Sequence, residues 1–386
     1  MNKKKCCITI IVASLSCFGI LIFALFYREC RDVGEPLLLA DKITTGCLIK
    51  EEDLLVGNGE DFAVLDVQQD KILITVYGYY DKGNPYYQEE GYNSYSKRLF
   101  IYDWKRREVI TEYDLEPNEL CSAGILCMDG MVCVLSRQHG NNGEVEARIV
   151  KATGKNITKD ICSYITYGDK TYYMPELLSF LDGSYAVSYF DLLKGEFGIK
   201  IVSPEGKHNT VYTNSSIEDF YGTEIAGNGE KFVYYTARNG TPVLVIGDQN
   251  NTVNSFSLGN RRLMHDFCML KNYVLVSLRE EEHSYKTDKV CAFDFDGEMV
   301  FSESHEPIFA LTYSKENAVY ARNMEYKSFV LAIQDEVNGL NLVERLVDIP
   351  KEFALYYPID EQRCLAAVDI DNNSQEIWEI STSDGR

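Results

Sequence analysis

The sequence predicts an all-β fold of repeated four-stranded antiparallel blades, a β-propeller, and three observations predict it. Past residue 35 there is no long helical period; short runs rich in Val, Ile, Tyr and Phe alternate with Gly, Asn and Asp turns. One unit recurs: an apolar strand, a tight polar turn, a second apolar strand, a variable loop, then a hairpin. The first turns of these units, at Asp70, Asp129, Asp182, Gly229, Lys271, Lys315 and Asp360, lie 42 to 59 residues apart. That interval is close to the length of a propeller blade, roughly 40–50 residues.

Each turn is followed by a strand able to sit in a core. These strands are Ile72–Val76, Met131–Val134, Tyr185–Ser188, Lys231–Tyr234, Tyr273–Val276, Ala318–Tyr320 and Cys364–Ala367. The second hairpin recurs at Ile101–Trp104, Ile149–Gly154, Ile201–Gly206, Val245–Asp248 and Phe293–Gly297, where most turns offer Gly, Asn or Asp for positive φ. The last unit supplies only three strands, Phe353–Pro358, Arg363–Asp369 and Gln375–Ser381. The fourth is expected from the N-terminal side, at Leu37–Leu39 or Cys47–Leu55, which would place both ends of the chain in one blade. Seven blades are expected, with six left open because the first and last units are the most irregular. Radial repetition also protects strand edges, since each blade packs face to face on its neighbours.

Ahead of the repeats, Lys3, Lys4 and Lys5 precede an uncharged run from Cys6 to Tyr27, followed by Arg28, Glu29 and Arg31. As a helix that run covers about 33 Å, enough for a hydrocarbon core of roughly 30 Å. No small-residue cleavage site follows Tyr27, so an uncleaved anchor is expected over a secretory signal peptide. A lipoprotein at Cys17 is disfavoured by its neighbours: Ser14 stands where a large aliphatic residue is expected, and ten mostly apolar residues follow. The lysine-rich tail favours a cytoplasmic N-terminus. The expected organisation is therefore a cytoplasmic tail (1–5), a transmembrane signal anchor (6–27), a linker (28–34) and a propeller (35–386) outside a bacterial cytoplasmic membrane.

The formal charge of −21 excludes broad nucleic-acid binding, which needs a basic footprint. Residues 1–31 hold five basic and one acidic side chain, so the remainder stands at −25 and is repelled by anionic headgroups. Nine of the twelve cysteines lie beyond the span, an odd number set mostly in apolar runs. Buried thiols are expected there in preference to a disulfide framework. Cysteine and histidine spacing fits no zinc site, so no metal and no cofactor is expected.

The repeat pattern, in segments such as Phe293-Asp294-Phe295-Asp296-Gly297-Glu298, resembles the anchored or lipidated extracytoplasmic propellers of bacteria, the broad TolB-like and six-bladed groups. The resemblance covers residues 35–386 and carries no active residue across.

Candidate function sits in the longest loop, Tyr77–Ser96. It holds Tyr77, Tyr79, Tyr80, Tyr86, Tyr87, Tyr92 and Tyr95, seven tyrosines in nineteen residues. A tyrosine offers a flat apolar face with a hydroxyl at its rim, suited to stacking on a sugar ring or anchoring a peptide. The same rings could instead fold the loop onto its own blade. A second cluster, Tyr164, Tyr167, Tyr172 and Tyr173, falls in a connection between blades. The leading expectation is a binding or scaffold module for a glycan or envelope protein. The alternative is a propeller hydrolase or lyase using carboxylates with His139 or His283 at the channel mouth. Glu89-Glu90 and Glu280-Glu281-Glu282 share that loop set, but glutamate runs are usually solvated. Asp294-Phe295-Asp296-Gly297 resembles the start of a calcium loop yet lacks the distal glutamate and sits at a hairpin turn. No GxSxG elbow, GxxxxGK loop or GxGxxG turn occurs.

Overall fold

The computed structural model describes residues 44–50 and 60–381, apart from the connections 85–93, 128–129, 140–143, 154–155, 168–174, 192–193, 223, 251, 260, 281–287, 306–308, 316–317, 324–327, 336–338, 347–352, 360–362 and 372–373. The expected span 6–27 and linker 28–34 lie outside the described residues. Among the described residues no helix is long and apolar enough to cross a membrane.

The described strands form seven four-stranded antiparallel sheets. Blade 1 holds β2 (Asp61–Gln68), β3 (Lys71–Tyr79), β4 (Ser94–Asp103) and β5 (Glu108–Asp114). Blade 2 holds β6 (Glu119–Cys127), β7 (Gly130–His139), β8 (Glu144–Thr153) and β9 (Asn156–Tyr167). Blade 3 holds β10 (Leu177–Ser179), β11 (Tyr185–Asp191), β12 (Glu196–Val202) and β13 (His208–Asn214). Blade 4 holds β14 (Ile225–Gly227), β15 (Lys231–Arg238), β16 (Thr241–Asp248) and β17 (Thr252–Ser257). Blade 5 holds β18 (Arg261–Met269), β19 (Val274–Glu280), β20 (Asp288–Phe293) and β21 (Met299–His305). Blade 6 holds β22 (Phe309–Lys315), β23 (Ala318–Asn323), β24 (Ser328–Asp335) and β25 (Gly339–Leu346). Blade 7 combines β26 (Phe353–Pro358), β27 (Arg363–Asp371) and β28 (Ser374–Ser381) with β1 (Thr44–Lys50) from the start of the chain.

The first strand of each blade touches the first strand of the next, and β26 touches β2, so the ring closes with these strands innermost. The protein is a seven-bladed β-propeller. Closure comes from β1, which pairs antiparallel with β28 from Thr44 opposite Ser381 to Lys50 opposite Glu376. This is the missing fourth strand expected from the sequence. It includes Cys47 and ends five residues before Leu55, while Leu37–Leu39 lies outside the described residues.

Successive blades bury their apolar faces against each other, so the core is divided among the gaps between blades. Between blades 1 and 2, Leu73, Leu99 and Ile101 meet Cys121, Met131 and Leu135. Between blades 3 and 4, Phe190, Phe197 and Ile199 meet Phe232, Tyr234 and Val245. The gap between blades 7 and 1 is filled in the same way by Ile359, Leu365 and Ile377 against Ile72, Phe100 and Trp104. The large side chains at these gaps each contribute about 1.5–3 kcal/mol on burial. The cysteines whose side chains are described are free thiols, in line with the expectation: Cys121, Cys133, Cys268 and Cys291 are buried and Cys127 is half-buried.

A buried hydroxyl recurs on the second strand of several blades, and in blades 3 and 4 it fastens the chain that enters that blade. Ser188 accepts a bond from the Glu176 amide at 2.9 Å, and Thr236 donates to the Asp219 carbonyl at 2.8 Å. In blade 1 Thr75 donates to Ser96, which in turn accepts from the amide of Cys121 in blade 2. Polar side chains also cross the gaps: Asp66 accepts from the Leu126 amide, and Asn228 donates to the Leu270 carbonyl. A buried carbonyl deprived of its donor keeps the cost of its desolvation. Thr236→Val, which preserves shape, is therefore expected to lower unfolding stability by about 1–2 kcal/mol in a urea titration, with an unchanged m value.

Candidate functional site

Antiparallel meanders sort the connections onto two faces. Turns after the first and third strands of each blade share one face, the turn face. The second-to-third-strand loops and the blade-to-blade connections share the other, the loop face. The tyrosine-rich segment joins β3 to β4, and its described ends, with Tyr77, Tyr79, Tyr80 and Tyr95, lie toward the loop face.

The structure divides the tyrosines of the first segment by role. Tyr80 is 5% exposed, and its hydroxyl donates to the Pro117 carbonyl in the connection to blade 2. Its ring stacks on Tyr95, with centroids 4.7 Å apart and planes at 18°. Gly78 makes room for this pair, because a Cβ there would stand 2.8 Å from the Tyr95 ring. Tyr77 is half-buried, and desolvation, reinforced by the Cys121 thiol, pushes its hydroxyl well above the usual phenol range. Tyr79 alone of the described four is strongly exposed, at 51%. Its hydroxyl donates to Asp61 at the start of β2. Partial burial and that carboxylate push its pKa up to about 12, so it remains a hydrogen-bond donor at neutral pH. Tyr86, Tyr87 and Tyr92 lie outside the described residues.

A second exposed ring on the same face comes from a connection that the sequence pattern did not single out. Tyr221, between blades 3 and 4, is 49% exposed and stacks on Tyr235 at 5.2 Å and 20°. Tyr235 is held in turn against Phe267 of blade 5. A lone tyrosine in Ser215–Glu224 gives no cluster to notice; only the position of that connection on the loop face marks it.

Several of the described carboxylates of this face are engaged in building it. Glu119, at the start of β6, is buried and accepts from Arg137 at 2.9 Å and from Arg148. Glu60 pairs with Lys97. Asp219, 4% exposed, accepts from the amides of Gly240 at 2.9 Å and Asn239 at 3.2 Å and from the Asn214 side chain at 3.3 Å. Burial opposes its charge, but these donors outweigh it and hold the carboxyl below the usual range. Glu224 is exposed, and partial desolvation by its surroundings pushes its carboxyl up.

Other expected candidates are placed as follows. His139 ends β7 and Glu280 ends β19, both on the loop face, whereas His283, Glu89, Glu90, Glu281 and Glu282 lie outside the described residues. Tyr164 and Tyr167 belong to β9 itself, and Tyr172 and Tyr173 lie outside the described residues. Asp294 folds a hairpin turn: its carboxylate accepts from the amides of Asp296 at 3.0 Å and Glu298 at 2.8 Å. Among the described residues no group of three His, Cys, Asp or Glu side chains is arranged to hold a metal ion.

No family model and no curated protein matches the chain. Solved structures do. A puromycin-hydrolyzing peptidase from Mycobacterium tuberculosis aligns over 89% of this chain and 55% of its own, at 10% identity and a TM-score of 0.53. The β-propeller domain of the trilobed protease from Pyrococcus furiosus aligns over 70% of this chain and 83% of its own, at 13% identity and a TM-score of 0.50. The likeness is one of fold. That propeller domain has an open velcro topology, whereas here β1 joins β28 in the last blade.

Two consequences separate building residues from presenting ones. Tyr80→Phe, which strips the donor from the Pro117 carbonyl, should cost about 1–2 kcal/mol of stability, whereas exposed Tyr79→Ala should stay within about 0.5 kcal/mol. Denaturant unfolding of the two variants checks the contrast. Asp219→Ala should cost about 2–3 kcal/mol at neutral pH. A carboxyl lowered in the folded state stabilises above its unfolded value of about 3.9 and loses that contribution as pH falls through the folded value. The gap between Asp219→Ala and the parent should therefore narrow below about pH 4, measured as unfolding midpoints across pH.

Proposed function

We propose that the protein is a membrane-anchored extracytoplasmic propeller, of the TolB-like kind found in bacterial envelopes, that binds a glycan or envelope protein through its loop face. The observation that carries the proposal is the pair of exposed rings that each have a partner, Tyr79 bonded to Asp61 and Tyr221 stacked on Tyr235. A ring held in place before binding loses little conformational entropy when a ligand stacks on it, which favours recognition over mere surface coverage. The anionic chain discourages nucleic acid and anionic lipid as ligands. Seven blades depart from the six usual in the propeller groups that the sequence resembles, so the likeness to them is one of architecture and setting.

The rings define the test. Full-length protein in detergent is titrated with soluble cell-wall and dietary glycans beside a Tyr79→Ala/Tyr221→Ala variant. Saturable binding by the parent, weakened about tenfold or more in the still-folded variant, is the expected result and corresponds to at least ~1.4 kcal/mol. Binding that survives the double substitution removes the site from these rings. Absence of binding by both proteins rejects a glycan ligand and leaves the envelope-protein form, tested by cross-linking in the native membrane.

A further inference from the structure

The path of β1 through blade 7 fixes which face of the ring the preceding chain reaches. Thr44 pairs with Ser381, and Ser381 also pairs with Arg363, the first residue of β27 after the turn from β26. Thr44 therefore lies at the turn face. At the other end of the strand Lys50 pairs with Glu376, near the start of β28 and the loop from β27, so the chain leaves β1 at the loop face. Residues 51–60 then lead to β2, whose start carries Asp61 beside Tyr79. The chain enters the ring on the face opposite its exposed tyrosines.

Charge is distributed in the same sense. The connections of the loop face carry Glu116, Glu218, Asp219 and Glu224, together with Glu60 and Asp61 at the start of blade 1. The turn face carries the run Lys105-Arg106-Arg107 in the β4–β5 turn, where Lys105 meets Asp70 at 2.7 Å and Arg106 faces Asp103 and Glu108. It also carries Asp182, Asp294, Asp296 and Glu298, so it is the less acidic of the two faces and not a basic one. An anionic bilayer surface repels the loop face more strongly than the turn face. Residues 28–43 separate the proposed span from Thr44 and reach at most about 55 Å even fully extended.

We infer that the propeller stands with its turn face toward the bilayer and its loop face, bearing Tyr79 and Tyr221, directed away from it, so that its partner is met from the far side of the envelope space and is not a lipid headgroup. This rests on the proposed anchor at 6–27. Strand lengths of seven to nine residues put the two faces about 25 Å apart. That separation keeps the tyrosines clear of the headgroups on geometry as well as on charge.

The test uses full-length protein in nanodiscs of phosphatidylethanolamine and phosphatidylglycerol with an acceptor dye on the headgroups. A fluorescent non-natural amino acid is placed at Leu181, 79% exposed in the β10–β11 turn of the turn face, or at Tyr79 on the loop face. Energy transfer from position 181 is expected to exceed that from position 79 by about twofold or more, given the spacing of the faces. Equal or reversed transfer in protein that has entered the nanodisc overturns the orientation and leaves the anchor standing. Protein that fails to enter the nanodisc overturns the anchor, and the orientation with it. Loss of the acceptor difference when phosphatidylglycerol is replaced by phosphatidylcholine would assign the orientation to charge alone and reject the part attributed to the path of β1.

Discussion

Everything in this protein depends on each sheet having a neighbour on both sides. A four-stranded sheet of Val, Ile, Leu and Phe cannot leave either face in water, and a row of such sheets would leave two faces bare at its ends. Closing the row into a ring removes those ends. The contact of β26 with β2, and the cluster of Ile359, Leu365 and Ile377 against blade 1, show the closure completed in apolar contact. Strand β1 supplies the hydrogen-bonded part of the same closure, since it gives blade 7 its fourth strand from the opposite end of the chain. Most contacts in a propeller are local within a blade; this one spans nearly the whole sequence.

The ring leaves its connections free to differ, and the two faces have become chemically different. On the turn face the chain is short and spent on reversal, with Asn and Asp side chains capping turns, as Asn228 and Asp294 do. On the loop face the connections are longer and more acidic, and they hold the exposed aromatic rings. Several of the described carboxylates there serve the scaffold: Glu119 is neutralised by two arginines, and Asp219 gathers three donors around a blade junction.

Aromatic clustering proved to serve two purposes within a single loop. Tyr80 and Tyr95 stack on each other at the two ends of the loop, with Gly78 giving them space, while Tyr79 is exposed. β3 ends at Tyr79, so strand alternation fixes the side of Tyr79 but not that of Tyr80. Which of the two faced outward depended on the Pro117 carbonyl and on Asp61, both far away in sequence.

The sequence by itself determined the all-β class, the repeat, the turn positions and the strands that follow them, because apolar alternation and turn residues act over a few neighbours. It also identified the three strands of the last blade and the need for a fourth from the N-terminal side. It could not decide between Leu37–Leu39 and Cys47–Leu55, since pairing with β28 is a contact between residues more than three hundred positions apart. Nor could it reveal Tyr221, whose importance lies in its stacking on Tyr235 and in the face on which its connection emerges. The tertiary structure settled which tyrosines are buried, which carboxylates are paired and which face receives the incoming chain. Local propensity carries no information about those outcomes, because each is decided by groups that meet only when the ring has closed.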